Sequence, residues 1–431
     1  MRTALLLACA SPALAFDYDV VVYGSSPAGV AAAVAAGTLG LRVGLYEPLQ
    51  MLGGMGAAGN LALNDGGMGA ERTGLAHVFS LLNGKHYGLT TEVPHPESFV
   101  AEASFYSMLA TANVTSIHLD CHVLSATTLR SGGVSSVGSV TFSCAPDAPV
   151  SAAVFIDASY DGDVMVAAGD VPFTHGREAI ATYNESLAGA RVPGWVGVSG
   201  PRTVSALHAD GSLIKYVAPL SELAPPGEAD EALMAFQHRM CISGDADRIP
   251  WPRPPGYNST DFTLISRALA ASNGSADFFT HMPPSALPGY PGPKKKYCLC
   301  CGITVAASDQ PMLNRGWATA SWEQRQQMTA DHTYFELGTF YFLANDPSVP
   351  EKVRSTYSDY GLCADEFEQW GHMPPQLYIR ISNRMVGDFV SGGGGGSGSG
   401  SGGAHAPEPP RPSSTAHTYQ RTHTEPLPCR S

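Results

Sequence analysis

Residues 17–23 run Asp-Tyr-Asp-Val-Val-Val-Tyr, a β-branched stretch without polar alternation, which predicts a strand buried on both faces. Gly24-Ser-Ser-Pro-Ala-Gly29 follows at once, and residues 28–39 are rich in Ala and Val up to Gly40, the pattern of a buried helix with a glycine past its end. Residues 41–46 predict a second buried strand, closing on Glu47. Strand, glycine turn, helix and strand make a complete β-α-β unit. Further on, 115–123, 137–142 and 154–156 read as strands, the last ending in Asp157-Ala158-Ser159. Residues 322–345 read as a helix, with Trp322, Met328 and Phe335 at loosely helical spacing, as in a core. A helix-like stretch ends in Arg384-Met-Val-Gly-Asp-Phe-Val390, and proline-rich runs at 250–255 and 283–293 read as loops.

The first unit carries a dinucleotide signature. Gly24 makes the tight turn, Ser26 stands where a small residue lets backbone approach a pyrophosphate, and Gly29 lets helix and strand pack closely. The turn Gly24, Ser25, Ser26, Pro27, Ala28 and Gly29 therefore offers helix N–H groups to phosphate. Glu47, 23 residues after Gly24, sits where a carboxylate accepts hydrogen bonds from a ribose diol. G-x-G-x-x-G alone is weak evidence, and its middle glycine is Ser here; the surrounding strand, helix, strand and terminal acid give it weight. After Glu47 the chain continues Pro-Leu-Gln-Met-Leu-Gly-Gly-Met, a loop in which Gly53, Gly54 and Met55 can wrap a flavin dinucleotide rather than turn straight into a helix. A β-meander and return strand would complete such a domain, with the backbone at Val123 meeting adenine and the turn at Ala158 closing over it. The expected fold is α/β, a Rossmann-type FAD/NAD(P)-binding domain with a β-meander plus an interleaved α+β substrate or cap domain.

Taken together, Tyr-Asp-Val-Val-Val-Tyr-Gly-Ser-Ser-Pro-Ala-Gly, Glu-Pro-Leu-x-x-Leu-Gly-Gly-Met and Phe155-Ile-Asp-Ala-Ser-Tyr-Asp-Gly-Asp163 resemble the bacterial-type FAD-dependent oxidoreductases, some of them labelled xanthan lyases. The resemblance continues in Gly176-Arg-Glu178, Asp346-Pro-Ser-Val-Pro350, Gln376-Leu-Tyr-Ile-Arg380 and Arg384-Met-Val-Gly-Asp388, and so spans about 18–390. It implies FAD as cofactor and tolerates Ser at position 26. Two departures stand out. Ile381 replaces the Glu that usually follows the tyrosine-arginine motif, and a Gly/Ser tract stands where the family continues with a further flavin-contacting segment, so a truncated C-terminus is expected.

Composition narrows the function. A net charge of −13 argues against a nucleic-acid surface, and the one tight basic run, Lys294 to Lys296, reads as a solvated turn. Met1-Arg2-Thr3, an apolar run and Ala13-Leu14-Ala15 read as a secretory signal, too short to span a bilayer, which places the protein in the secretory pathway or outside the cell. Sequons at Asn113, Asn184, Asn258 and Asn273 fit that route. Nine Cys are present, and Cys298-Leu-Cys-Cys301 lacks the spacing and His partners of zinc, so no metal site is expected. The organisation expected is 1–15 signal, 16–170 FAD-binding, 171–390 substrate or cap domain and 391–431 a disordered Gly/Ser/Pro-rich tail.

A flavin carries the redox chemistry, so protein groups need only bind, orient and tune it. Arg177, Tyr378 and Arg380 are the substrate-side candidates: an Arg to anchor an anion, a Tyr to position a hydroxyl. The bland reading gives Arg177 a local carboxylate such as Glu178 and makes Tyr378 and Arg380 packing residues on a helix. Tyr160, Asp161 and Asp163 could cap the next helix or touch flavin. The leading reading is an FAD-dependent oxidoreductase of a small organic or carbohydrate-like substrate; the rival is a secreted glycoprotein that kept the fold and lost flavin. Lyase activity is suggested only by the label on relatives.

Overall fold

The computed structural model describes residues 16–61, 72–183, 204–271, 290–299 and 308–386. The signal segment, Asn184, Asn273, Cys300, Cys301 and residues 387–431, with the tail expected at 391–431, lie outside them. The chain opens with β1 (Tyr18–Tyr23), α1 (Pro27–Thr38) and β2 (Val43–Tyr46), then α2 (Gly74–His86), α3 (Ser98–Thr111), β3 (Ser116–His118), β4 (Val123–Ser131), β5 (Val134–Phe142), β6 (Val150–Asp157) and α4 (Asp163–Ala168). The strands form one sheet in the order β3-β2-β1-β6-β5-β4, parallel from β3 to β6 and antiparallel through the meander. Both faces of β1 are covered, which is why it lacks polar alternation. Val20 and Val22 pack with Val30, Ala33, Phe105 and Leu109 of α1 and α3. Val21 and Tyr23 face the other way, where the meander curls back and Phe142 stacks on Tyr46 at 4.0 Å.

The expected strand 115–123 is two strands. The chain leaves the sheet at Asp120, in the left-handed region with φ 59°, and the N–H groups of Asp120 and Cys121 donate to the carbonyls of Leu49 and Glu47. Cys121 is then tied to Cys144 by a disulfide. The β4–β5 hairpin turns at Gly132-Gly133, both with positive φ, a two-residue loop matched to the twist of its strands.

The second half contains β7 (Phe173–Thr174), α5 (Ile180–Tyr183), β8 (Met240–Ser243), β9 (Ile249–Pro250), α6 (Thr263–Ala271), β10 (Lys296–Leu299), α7 (Trp322–Asn345), α8 (Glu351–Ser358), β11 (Gly361–Leu362) and β12 (Arg384–Met385). A four-stranded sheet, β10-β8-β11-β9, packs on α6, α7 and α8 around Met240, Phe262, Phe335, Phe340 and Tyr357. Cys241 and Cys363 form a disulfide within it. α7 starts with a capping box, in which Ser321 accepts from Gln324 N–H while the Gln324 side chain accepts from Ser321 N–H. Two expectations fail here. Residues 384–385 are not helical but pair with β7, and Lys296 is no solvated turn residue. It is buried, with its ammonium 2.7 Å from Glu97, 3.0 Å from Asp365 and 3.1 Å from Glu366. Among the described residues no helix is long and apolar enough to cross a membrane.

Candidate cofactor site

β1 ends at a turn held by its own side chains. Ser25 donates to Glu47 Oε2 through both its N–H and its hydroxyl, each at 2.6 Å, and accepts from Gly53 N–H at 2.9 Å. Ser25 thus ties the β1–α1 turn to the carboxylate after β2 and to the Gly53-Gly54-Met55 loop. Ser26 caps α1, accepting from Gly29 N–H at 3.3 Å, and donates to the Ala158 carbonyl at 2.8 Å. Its hydroxyl is turned toward the end of β6, which explains how a Ser occupies the second glycine position. Pro27 takes the first helical position, where no backbone donor is needed, and exposed Ala28 follows. A side chain at Gly24 (φ 88°) would put Cβ 2.8 Å from the Ala158 carbonyl, and one at Gly29 would put it 2.0 Å from the Gly24 carbonyl oxygen.

Glu47 is buried, and its Oε1 accepts from Leu49 N–H at 2.9 Å. Burial pushes its carboxyl above the usual range, against the hydrogen bonds from Ser25 and Leu49 that hold it down. Three donors occupy a carboxylate with about four lone-pair sites, leaving a place for a hydroxyl.

These residues line one side of a groove whose other walls come from far along the chain. Trp322, Arg325 and Gln326 of α7 and Gln376 and Leu377 face Gly24, Ser26, Glu47 and Ala158. Trp322 stacks on His122 at 4.7 Å, so it belongs to the groove and not to the core expected for it. Arg325 donates to Asp163 at 2.7 Å and lies 3.4 Å from Asp161, which also accepts from the Trp317 indole at 2.8 Å. The following helix, α4, is capped by Asp157, whose Oδ2 accepts from Val164 N–H at 2.9 Å, while Tyr160 accepts from Met55 N–H at 2.7 Å. Sequence reasoning missed Arg325 and Trp317, which only folding brings to the turn after β6.

The other sequence candidates are dispersed. Val123 does not line the groove; it opens β4, and its neighbour His122 props Trp322. Arg177 lies away from the groove and is paired with Asp230, Nε to Oδ1 at 2.8 Å, while Glu178 pairs with Arg384 at 3.0 Å. Arg380 binds Asp309 at 2.8 Å and lies over the Tyr378 ring. Tyr378 and Arg380 are on a segment without regular secondary structure, not a helix, and Tyr378, unlike Arg177 and Arg380, lines a cavity beside the groove.

A family model described as FAD dependent oxidoreductase matches residues 19–391. The chain belongs to the FAD-dependent oxidoreductase family. FAD is accordingly its cofactor, and the parallel-dominated sheet is that of a Rossmann-type FAD domain. Among solved structures, the chain is similar to THI4 of Thermovibrio ammonificans, at 17% identity over 37% of this chain and 66% of that one, with a TM-score of 0.27. A steroid monooxygenase bound to NADP matches at 21% identity over 33% and 25%, TM-score 0.23. The thioredoxin reductase of T. acidophilum matches at 18% over 32% and 34%, TM-score 0.20. The chain spans less than two thirds of each of these. No curated protein matches it.

The residues present fit FAD in chemistry: a glycine cradle at a helix N-terminus and a carboxylate with a vacant lone pair. The groove is narrow, about 60 Å³, against about 300–1,000 Å³ for small-molecule sites.

Proposed function

We propose that this family member oxidises or reduces a small organic molecule by hydride exchange with FAD held along the β1–α1 groove. The observation that carries the reading is the cradle itself, Gly24 and Gly29 too close to backbone for any Cβ, joined through Ser25 to Glu47. In it the turn 24–29 would receive the pyrophosphate, Glu47 the ribose, and the Gly53-Gly54-Met55 loop the segment toward the flavin. FAD supplies the hydride chemistry when bound. The chain's part is to hold and align it: Ser25 fixes turn and loop together, and Tyr160, anchored on Met55 N–H, stands beside that loop. Burial pushes the Tyr160 phenol up to about 12, so it keeps its proton at neutral pH and can donate a hydrogen bond. Residues 16–170 serve as the FAD-binding domain and 171–390 as the substrate or cap domain.

The protein is proposed to be secreted. Two disulfides, Cys121–Cys144 and Cys241–Cys363, and exposed sequons at Asn113 and Asn258 support that route. One observation, the narrow groove, favours the rival reading of a flavin-free glycoprotein. An absorbance spectrum of the purified protein decides between them, with anaerobic bleaching by candidate substrates as the activity test. Protein without flavin bands that takes up no added FAD refutes the oxidoreductase reading.

A further inference from the structure

We propose that a second cavity, beside the groove, seats the reactant, and that it selects flat, mainly apolar molecules with one polar end in preference to carbohydrates. This rests on the oxidoreductase reading above and names the substrate class for it. The cavity is about 500 Å³, within the usual span of about 300–1,000 Å³ for small-molecule sites. Tyr160 is a wall of both spaces, and Pro27 and Met55, from the cofactor turn and its loop, line the cavity too. An occupant is thus one side chain away from the groove.

The lining decides the class. Phe79 and Phe105, stacked at 4.6 Å, with Leu75 and Met108, present hydrocarbon from α2 and α3. Among the described residues that line it, polar groups are few and mostly engaged: Ser80 donates to the Ala76 carbonyl at 3.0 Å, and Arg72 lies 3.8 Å from Glu92. Tyr378 lines the cavity and its hydroxyl has no hydrogen-bond partner among the described residues, and Tyr160, accepting from Met55 N–H, retains its own hydrogen. A sugar brings a hydroxyl on nearly every carbon, and each one buried without a partner weakens binding about fivefold or more. A flat ring system with a single carbonyl, hydroxyl or carboxylate meets what two phenols can give.

The test titrates 2-naphthoate and, separately, glucose into the full chain by calorimetry, with the flavin absorbance recorded at each addition. Naphthoate is expected to bind and to perturb the flavin bands, and glucose to do neither. Ala76→Trp, an exposed position at the cavity, should weaken naphthoate at least about tenfold with flavin content and melting temperature unchanged. Tyr378→Phe, which keeps the shape, should weaken it about two- to tenfold. Naphthoate binding no tighter than glucose, binding indifferent to both substitutions, or binding without change in the flavin bands of loaded protein overturns the proposal. So does loss of flavin from a normally melting Ala76→Trp protein, because the flavin ring would then fill the cavity. Wild-type protein that binds naphthoate but never flavin would uphold the cavity's selectivity and sink the oxidoreductase reading, whereas flavin-loaded protein indifferent to naphthoate does the reverse.

Discussion

Gly29→Ala is the smallest change that tests the cradle. The added Cβ would lie 2.0 Å from the Gly24 carbonyl oxygen and 3.0 Å from the Ala158 side chain, where real contacts essentially never fall below 3.0 Å. Relief requires α1 to move away from β1 by roughly 1 Å, and inserting atoms into a packed site of this kind costs about 1–3 kcal/mol. The same displacement separates the helix N-terminus from the turn that is to receive pyrophosphate. If the whole of that cost falls on the bound form, FAD affinity drops about five- to 150-fold, and Gly29→Val, with two more carbons, drops further. Flavin-to-protein absorbance of purified protein and calorimetric titration with FAD measure this. Gly37→Ala is the control, on the same helix at its other end, where Cβ would meet the Ala112 carbonyl at 2.4 Å. It should lose stability and keep FAD. Full flavin occupancy in Gly29→Ala, or equal flavin loss in both variants, would refute the reasoning.

Glu47→Ala is expected to weaken FAD about tenfold to a hundredfold, the equivalent of about 1.5–3 kcal/mol for a hydrogen bond to a charged group, and Glu47→Gln less; equal calorimetric Kd values in wild type and both variants would confine Glu47 to holding Ser25. Glu366 is pushed up to about 7 by burial, though Lys296 pulls it down, so the folded state holds this proton more tightly than the unfolded chain, whose carboxyl titrates near 4.5. The resulting stabilisation, on the order of 3 kcal/mol, is present below about pH 4.5 and lost as pH rises through about 7; melting temperatures across that window should fall, and Glu366→Gln should flatten the fall. Reduction should destabilise through both disulfides. Replacing both cysteines of the pair with Ser should cost about 4–5 kcal/mol for Cys241–Cys363, separated by 122 residues, and about 3 kcal/mol for Cys121–Cys144, separated by 23, read by denaturant unfolding.

The β1–α1–β2 unit was legible because every signal in it is local: Val20 to Tyr23 are buried on both faces, and Gly24, Gly29 and Gly40 punctuate within twenty residues. β4 was harder to read because Leu124, Thr127 and Leu129 lie on an exposed hairpin without a clean alternation, although Gly132-Gly133 marked its turn. Partners distant in sequence were beyond reach. Arg177 takes Asp230 instead of its neighbour Glu178, and Arg325 reaches Asp161 and Asp163 from another element entirely. Lys296 looked solvated in a basic run, since nothing nearby in sequence announces that Glu97 and Glu366 converge on it.

α7 is a single rod of 24 residues, about 36 Å long, with its two ends in different surroundings. Trp322 and Arg325 stand in the cofactor groove, and Phe335, Phe340, Phe342 and Leu343 form the core of the second unit. A ligand that fixes the first end therefore raises the cost of unfolding the second by mass action, about 2.7 kcal/mol when free FAD is a hundred times its Kd. With FAD seated as proposed, heat and protease resistance of this chain would rise with the flavin supply, and removing FAD would lower the stability of the core around Phe335 and Phe340 at the far end of the rod.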